Sequence, residues 1–270
     1  MKVILSRKGF DTSNGGIVSP IFEDGTMISF PIPSHDADTY SDLQYRGIPY
    51  TEILTDLKYK GGSFCHVDPD LDQERRVAKI DGWEPAFGQI GASASYLKNV
   101  GISPGDLFLF FGNFHCVTRS AEHFRYMKHT GNFYQDHDLP VIWGYLQIGK
   151  IVDDPEEQEK LWWHPHSCEE RIGSKTNVVF KATERLSFDE SLPGAGLLPF
   201  HLNRVLTAAG SSKATWKKNP VYEPSNVMSN RKNQAKDPNT GIFYAGIWQE
   251  LALEESDECE RWARSVVLGE

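Results

Sequence analysis

The chain has 270 residues, 39% of them hydrophobic and 24% charged, which is typical of a globular protein rather than a disordered one. Its net charge of −9 argues against broad binding to duplex nucleic acid but not against a local basic pocket for one nucleotide. The longest apolar run, 107–111, is far shorter than the roughly 20 residues of a membrane helix, and the four cysteines are widely spaced, so we expect a cytoplasmic protein without a membrane partner.

Short strands and amphipathic helices follow one another along the chain. Apolar runs bounded by glycine or proline predict strands at 1–6, 26–32, 64–67, 107–111, 141–152 and 178–182. Apolar residues spaced three or four apart predict helices at 50–59, 89–100 and 255–268. Asp68 before Pro69 also has the composition of a helix start, with a capping residue followed by proline at the first helical position.

Two polar stretches interrupt these elements. Residues 113–139 form a long, histidine-containing connector, and a connector of this length is often functional or mobile, so we expect it to act as a lid. Residues 217–240 are rich in Asn, Pro and Lys and predict a long loop. The apolar run 247–253 fits either a strand or a helix.

The elements together predict an α+β fold. In the middle of the chain, a helix, a Gly-Asp turn, a strand, a connector and a second strand follow the order found in PUA-like folds, which is an analogy of fold alone. We therefore expect a single domain at 1–253 around a mixed, partly barrel-like β-sheet with flanking helices, followed by a helical tail at 254–270.

The first candidate site is the loop after the first strand, R-K-G-F-D-T-S-N-G-G at 7–16. Backbone N–H groups of a glycine-rich loop can cradle an anion, and arginine can bind a phosphate through two parallel hydrogen bonds. The predicted substrate ligands here are Arg7, Lys8, Ser13, Gly15 and Gly16. Asp11 is a predicted catalytic residue. A solvated hairpin loop is the alternative, since the segment matches neither a P-loop nor a dinucleotide fingerprint.

The second candidate is H-V-D-P-D-L-D at 66–72. In an extended chain alternate residues face one way, which would bring His66, Asp68 and Asp70 to one face. Histidine beside carboxylates suits acid–base catalysis or a metal ion, so these three residues are predicted to be catalytic. The helix start at Asp68 is the alternative, because it explains the acidic residues as caps.

The third candidate is W-W-H-P-H at 162–166. Pro165 disfavours a helical conformation for the residue before it, so His164 and His166 can lie near one face of an extended segment. Together with Asp68 they predict a site for a divalent metal. A surface loop is the alternative, because two histidines alone do not make a metal site.

Three more residues are predicted to contact a substrate. Gln89 precedes a helix whose N-terminus can bind an anion. Trp216 can stack on a base, and Gln249 can bond to the edge of that base. Simple capping at Gln89 and core packing of Trp216 are the alternatives.

Taken in order, these motifs resemble the nucleotide modification associated domain family, third type. The resemblance rests on R-K-G-F-D at 7–11, H-V-D-P-D-L at 66–71, F-G-Q-I-G-A at 87–92, G-D-L-F-L-F-F-G at 105–112, I-W-G-Y-L-Q-I-G at 142–149 and H-P-H at 164–166. It extends to Trp216 and to Gln249-Glu250. Residues 219–222, 247–248 and those after 253 depart from the family pattern.

The resemblance implies a role in systems that modify nucleotides, in particular bases of phage or bacterial DNA. We expect an enzyme acting on a nucleotide, nucleoside or modified base. Arg7 and Lys8 would bind phosphate, Asp11 or Asp68 would be the general base or a metal ligand, and the histidines His66, His164 and His166 would be acid–base or metal groups. Two other functions stay open: a PUA-like reader that holds a modified base, and a structural partner that binds no nucleotide.

Overall fold

A computed structural model of the chain describes residues 1–228, 242–243 and 249–270. Its α-helices within those residues are α1 (Tyr50–Asp56), α2 (Gly91–Asn99), α3 (Phe133–Asp136), α4 (Pro155–Glu159) and α5 (Asp257–Leu268). Its strands are β1 (Val3–Arg7), β2 (Ser19–Ile21), β3 (Ile32–Pro33), β4 (Gln44–Tyr45), β5 (Ile48–Pro49), β6 (Cys65–His66), β7 (Ala86–Gln89), β8 (Leu107–Ser120), β9 (His123–Tyr126), β10 (Leu139–Val152), β11 (Val178–Ala182), β12 (Arg185–Leu186), β13 (Asp189–Pro193), β14 (Ala195–Leu197), β15 (Thr215–Trp216), β16 (Ile242–Phe243) and β17 (Glu250–Ala252).

One large mixed sheet organises these elements. Its strands follow the order β17-β1-β8-β10-β11-β7, while β2 and β9 also pair with β8 and β14 pairs with β10. Strands β1 and β2 run parallel to β8, and the other neighbours in this sheet are antiparallel. The predicted α+β class with a mixed sheet is confirmed, but the partial barrel is wrong because the sheet of described strands stays open.

Alternation along the central strands divides the core into two layers. On β1, Val3 and Leu5 pack into one hydrophobic cluster and Ile4 into another, because successive side chains of a strand point to opposite faces. On β8, Leu107 and Phe108 divide in the same way. Buried residues of α5 belong to the first layer and those of α2 to the second, so both faces of β1 and β8 are covered.

A third cluster, rich in aromatic side chains, supports the loop that follows β1. Phe10 packs against Phe30, Tyr40 and Tyr59 with ring centroids 5.3–6.0 Å apart. Gly15 has a φ of +94°, and a Cβ added there would lie 2.4 Å from the Phe10 ring. The loop therefore closes over Phe10 only because this position is glycine.

The segment 113–139 differs from the expected polar connector. Strand β8 continues to Ser120 and forms a hairpin with β9, and only α3 and short turns separate this hairpin from β10. Phe114, Val117 and Phe124 are buried, and so is His115, whose ring nitrogens bond to Asp138 and to the Met127 carbonyl. Polar composition concealed the strand because polar residues are interspersed among its buried apolar ones.

The other local predictions have mixed outcomes. The C-terminal helix is confirmed as α5, whose Cys259, Ala263 and Val266 pack in the same cluster as β1; the boundary at 253 stays a prediction.

No α-helix begins at Asp68. Instead the backbones of Asp70 and Ala86 pair through two hydrogen bonds of 3.0 Å. Residues 217–228 contain two short 3-10 turns, while the rest of the predicted loop, 229–240, lies outside the described residues.

Within the described ranges, no helix is both long enough and apolar enough to cross a lipid bilayer.

Candidate functional site

A cleft of about 400 Å³ opens beside the ends of β1 and β7, a volume within the range usual for small-molecule sites. Its other walls come from the β3–β6 ribbon and from the chain around His166 and Arg171. The lining residues are Arg7, Lys8, Gly9, Asp11, Asn14, Ile32, Ser34, Asp36, His66, Asp68, Gln89, Ile90, His166, Arg171 and Gln249.

The cleft brings together most of the residues singled out in the sequence. The predicted site residues in its lining are Arg7, Lys8, Asp11, His66, Asp68, Gln89, His166 and Gln249. They come from five separate stretches of the chain, and strand pairing assembles them: the Arg7 N–H donates to the Gln249 carbonyl over 2.7 Å, while β7 joins the sheet through β11. The structure shows that these residues lie close together, and the catalytic, substrate-binding or metal-binding role of each remains a prediction.

Asp68 lies at the centre of the polar side chains, with only 4% of its side chain exposed. Its Oδ1 accepts a hydrogen bond of 2.6 Å from the Gly88 N–H. His164 Nε2 lies 3.3 Å from Oδ1, while His66 Nε2 and His166 Nε2 lie 3.8 and 3.9 Å from Oδ2. One buried carboxylate therefore faces three imidazoles.

Burial and charge oppose one another at this cluster. Burial by itself raises the pKa of Asp68, but the surrounding imidazoles of His164, His166 and His66 outweigh it and hold that pKa below its usual range. Burial lowers the pKa of His166 from 6.5 to about 4, although Asp68 acts in the other direction. At neutral pH, Asp68 is thus ionised and His166 is uncharged.

Neighbouring groups determine which nitrogen of each cleft histidine carries the proton. His66 Nδ1 lies 2.7 Å from Asp36 Oδ2, and an ionised carboxylate can only accept. Burial raises the pKa of Asp36, but hydrogen bonds from His66 and Arg171 lower that pKa by more than burial raises it. Asp36 is therefore ionised at neutral pH. The hydrogen-bond network therefore assigns the proton of neutral His66 to Nδ1 and the lone pair to Nε2, which faces Asp68.

His166 is oriented in the same way by an amide. Asn177 Nδ2 donates to Gln158 Oε1 and to the His166 carbonyl, which leaves Asn177 Oδ1 as the acceptor 2.8 Å from His166 Nδ1. The Nδ1 of His166 is therefore the donor, and its Nε2 lone pair is directed towards Asp68. Gly88 permits this packing, because a Cβ there would lie 2.2 Å from the His166 ring.

His164 differs from its two neighbours. Its Nδ1 accepts from the His166 N–H over 3.2 Å, so the proton of the neutral ring is on Nε2. That nitrogen is close to Asp68 Oδ1 but lacks hydrogen-bond alignment with it and has no other partner among the described residues. The side chain is fully buried and does not line the cleft. The ligand atoms of His66, Asp68 and His166 lie within 4.8 Å of one another, so the structure brings His66 to Asp68 as well as the predicted pair His164 and His166.

The loop after β1 supplies one cation to the cleft and a turn that supports it. Asp11 Oδ1 accepts from the N–H groups of Ser13 and Asn14 at 2.8 Å, and Asp11 Oδ2 pairs with Arg7 over 3.3 Å. Because both oxygens are engaged, the geometry favours a turn-forming role for Asp11 over the predicted general base. Ser13, Gly15 and Gly16 shape this turn and are not part of the lining.

A buried carboxylate holds the second cation. Glu250 is fully buried, and its Oε1 accepts from Ser6 over 3.0 Å, from Gln89 over 2.7 Å and from Lys8 over 3.3 Å. Gln89 is therefore fixed by Glu250 rather than free to read a ligand. Gln249 stays at the surface of the cleft, where Ser93 Oγ donates to its Oε1 over 3.1 Å.

Two charged residues of the lining were missed in the sequence. Asp36 lies in a polar stretch without any motif, and Arg171 follows a glutamate pair outside the predicted elements. Arg171 donates to Asp36 Oδ1 and to the Pro165 carbonyl, so it joins the ribbon to the His-Pro-His turn. Because Asp36 and Arg171 are 135 positions apart in the chain, no local sequence pattern predicts their contact.

Three predictions are not supported by position. Asp70 is buried away from the cleft, where Arg76 Nε and Trp83 Nε1 each donate to it over 2.9 Å, so its position favours a structural ion pair over the predicted catalytic role. Trp216 is 1% exposed and packs edge-on against Phe111 and Tyr222 in the core. No residue of 113–139 lines the cleft, which leaves the lid without support.

Residues 2–254 match the family model described as nucleotide modification associated domain 3. No curated protein and no solved structure matches the chain. The family match covers nearly all of the 270 residues, and its description associates the domain with nucleotide modification. The chain therefore belongs to the nucleotide modification associated domain 3 family.

Proposed function

We propose that this protein is an enzyme that acts on a nucleotide, nucleoside or modified base in a nucleic-acid base-modification system. What supports this function is the position of Asp68, an ionised and nearly buried carboxylate beside two imidazole lone pairs, in a cleft that also holds Arg7 and Lys8. Acid–base groups next to fixed cations suit a reaction on a substrate that carries phosphate.

Arg7 is the residue best placed to bind the phosphate. Its side chain is 24% exposed, and its contact with Asp11 involves a single nitrogen, NH1. The guanidinium has five N–H donors in a planar fork, so others remain for a phosphate oxygen. Lys8 adds positive charge from the wall of the cleft, where Glu250 holds its ammonium group.

Phe64 is a candidate platform for the base. In the β3–β6 ribbon, His66 pairs with Ile32, and the Phe64 carbonyl accepts from the Ser34 N–H. Alternate residues of an extended chain share a face, which places Phe64 on the same side of the ribbon as His66, outside the residues that line the cleft. Its ring is 49% exposed, and exposed aromatic rings bind unstacked bases.

His66 and His166 supply the proposed proton transfer. Each has its Nδ1–H held by a neighbour and its Nε2 lone pair towards the cleft, so either can take a proton from a water or a substrate hydroxyl that acts as nucleophile. Asp68 would stabilise the imidazolium that forms, as the carboxylate does in other catalytic His–Asp pairs. We place this chemistry in a bacterial or phage-infected cytoplasm, in keeping with the family association and the widely spaced cysteines.

The test compares turnover with binding. The purified protein is incubated with nucleosides, nucleoside phosphates and single-stranded DNA carrying natural or modified bases, products are identified by mass spectrometry, and affinities are measured by calorimetry. Asp68→Asn should lower turnover by about 10²–10⁴-fold while changing affinity by less than about threefold. The matched control is Asp81→Asn, at an exposed position, which should behave as wild type.

The two alternative functions give different results in the same assay. Binding of a base or nucleotide without turnover of any substrate would support the reader, and absence of binding would support the structural partner. For a reader, Asp68→Asn can change only the affinity for the ligand, because there is no turnover to lose. Binding without turnover, or absence of binding, would overturn the enzyme proposal.

A further inference from the structure

We infer that the cleft binds one divalent first-row transition metal ion through His66 Nε2, Asp68 Oδ2 and His166 Nε2, an inference that deepens the proposed function at the same site and rests on it. The ion would stand between the ribbon β3–β6 and the turn that carries His166. It differs from the site expected in the sequence, because His66 replaces His164 as the second imidazole ligand.

The distances between the three donor atoms suit one shared ion. They all lie within 4.8 Å of one another, and Asp68 Oδ2 is 3.8 Å from His66 Nε2 and 3.9 Å from His166 Nε2. Ligand atoms that share an ion at about 2.0–2.2 Å lie about 3–4 Å apart. The side chains therefore need only small rotations to bind it.

The hydrogen-bond network presents three lone pairs to the same point. Asp36 holds the Nδ1–H of His66, and Asn177 holds the Nδ1–H of His166. The Gly88 N–H occupies Asp68 Oδ1 and leaves Oδ2 towards the two histidines. A carboxylate or amide behind each ligating histidine is the usual second shell of a protein metal site, where it fixes the ring and its tautomer.

His164 is excluded as a ligand by the same reasoning. Its Nδ1 lone pair already accepts from the His166 N–H, so its Nε2 carries a proton directed at Asp68 Oδ1. A protonated nitrogen cannot bind a metal. A small movement of the ring would instead let His164 donate to the ligating carboxylate, which explains why a polar nitrogen is buried there without a hydrogen-bond partner.

The donor set indicates the class of metal. Two imidazoles and one carboxylate suit Zn²⁺, Fe²⁺ or Mn²⁺, whereas Mg²⁺ and Ca²⁺ prefer oxygen ligands. Cys168, the cysteine beside Arg171, has its sulfur 3.2 Å from the Arg171 guanidinium and does not line the cleft. Three protein ligands leave positions open to the cleft, where a water or a phosphate oxygen of the proposed nucleotide can bind. With the ion bound, the Nε2 lone pairs of His66 and His166 would hold the metal instead of accepting a proton, and a metal-bound water would be the nucleophile.

The test measures metal binding separately from activity. Chelator-treated protein is titrated with Zn²⁺ and with Mn²⁺, the bound metal is counted by mass spectrometry after dialysis, and affinity is measured by calorimetry. Wild type should bind one ion per chain. His66→Ala, Asp68→Ala and His166→Ala should each lower affinity at least 100-fold, and Asp36→Asn should lower it 10–100-fold at unchanged stoichiometry.

Two controls guard against general loss of structure. His123→Ala changes a histidine whose side chain is 64% exposed and should leave metal affinity unchanged. His164→Gln should cost less affinity than His66→Ala; an equal or larger loss would overturn the ligand assignment. Should the ligand variants fail to fold, Co²⁺ bound to wild type should show a visible spectrum without thiolate bands, and thiolate bands would overturn the assignment.

The metal centre and the proposed function fail in different ways. Absence of bound metal would overturn the metal centre and leave the enzyme in place, because the proposed proton transfer by His66 and His166 needs no ion. One tightly bound ion per chain with no turnover of any nucleotide would support the metal centre and overturn the enzyme.

Discussion

Asp68 and Asp70 are two residues apart, and the protein uses them in opposite ways. Asp70 is enclosed by an arginine and a tryptophan, with Arg76 NH2 2.8 Å from its carboxylate. Among the described residues, no arginine or lysine pairs with Asp68, which faces three imidazoles at the wall of a cleft. The first carboxylate is neutralised by a permanent cation, while the second faces groups that can gain or lose a proton.

The difference shows what separates a structural carboxylate from a reactive one. A permanent arginine partner satisfies the charge and leaves nothing for a ligand. Imidazoles with lone pairs directed at the carboxylate leave a space that a proton or a cation can fill. Burial is therefore a poor guide to function here, because both side chains are 4% exposed, and the identity of the neighbours decides.

Stability gives the largest contrast between the two positions. Asp70→Asn leaves the buried charge of Arg76 with Asp38 as its remaining carboxylate partner, so we expect the free energy of unfolding to fall by about 3 kcal/mol. Asp68→Asn removes a carboxylate that the surrounding imidazoles stabilise in its ionised form, but it leaves no arginine charge without its partner, so we expect a smaller loss than for Asp70→Asn. Denaturant unfolding of both variants measures this, and equal losses would contradict the comparison.

Lowering the pH should reduce the free energy of unfolding through His166, the histidine beside Asp68. The pKa of His166 is about 4 in the folded protein against an ordinary value of 6.5, so between these values the unfolded chain binds more protons. Its contribution to stability is complete above about pH 6.5 and is lost as the pH falls towards 4, by about 3 kcal/mol at 1.4 kcal/mol per pKa unit. Unfolding of metal-free protein at pH 7 and pH 4 measures the loss.

A variant of His166 tests whether this pH dependence of stability arises from that residue. His166→Gln removes the titrating group, so its free energy of unfolding should vary less between pH 7 and pH 4 than that of wild type. His123→Gln, at an exposed position, should keep the full dependence. A wild-type slope in His166→Gln would show that the acid sensitivity arises outside the cleft.

Phosphate recognition separates the cationic loop from the histidine cluster. Arg7→Gln should weaken binding of nucleoside phosphates by about 1.5–3 kcal/mol, the usual value of a hydrogen bond to a charged group, and leave nucleosides unaffected. The control is Arg46→Gln, which removes an arginine that is 69% exposed and pairs with Asp24. Equal weakening of nucleosides and nucleoside phosphates would remove Arg7 from phosphate binding.

Local pattern predicted part of this site correctly. Alternation placed His66 and Asp68 on one side of the chain, and composition placed Arg7 and Lys8 at a strand end. The same alternation failed at Asp70, because after Asp68 the chain pairs with Ala86 and turns towards Arg76. The α+β class was predictable because β8, β10 and β11 contain apolar runs and the buried residues of α5 recur at helical spacing.

Local sequence patterns could not predict the contacts between residues distant in the chain. Asp36 reaches His66 across 30 positions, and Asn177 reaches His166 across 11. These contacts decide which nitrogen of each histidine is free, and they are the basis for proposing His66 in place of His164 as the second imidazole ligand. Glu250 is a further case, since its contact with Gln89 spans 161 positions and depends on strand pairing on both sides of β1.

Base stacking gives the smallest expected effect and tests the ribbon that carries His66. Phe64→Ala should weaken nucleosides and nucleoside phosphates equally, by about 1–2 kcal/mol, because stacking of a base on an aromatic ring contributes about 1–3 kcal/mol. Ribose 5-phosphate, which has no base, should bind Phe64→Ala as it binds wild type. Trp162→Ala is the control, since Trp162 is an exposed aromatic residue, 68% accessible, that lies outside the β3–β6 ribbon. If ribose 5-phosphate lost as much affinity as the nucleotides, Phe64 would act by shaping the ribbon and not by contacting the base.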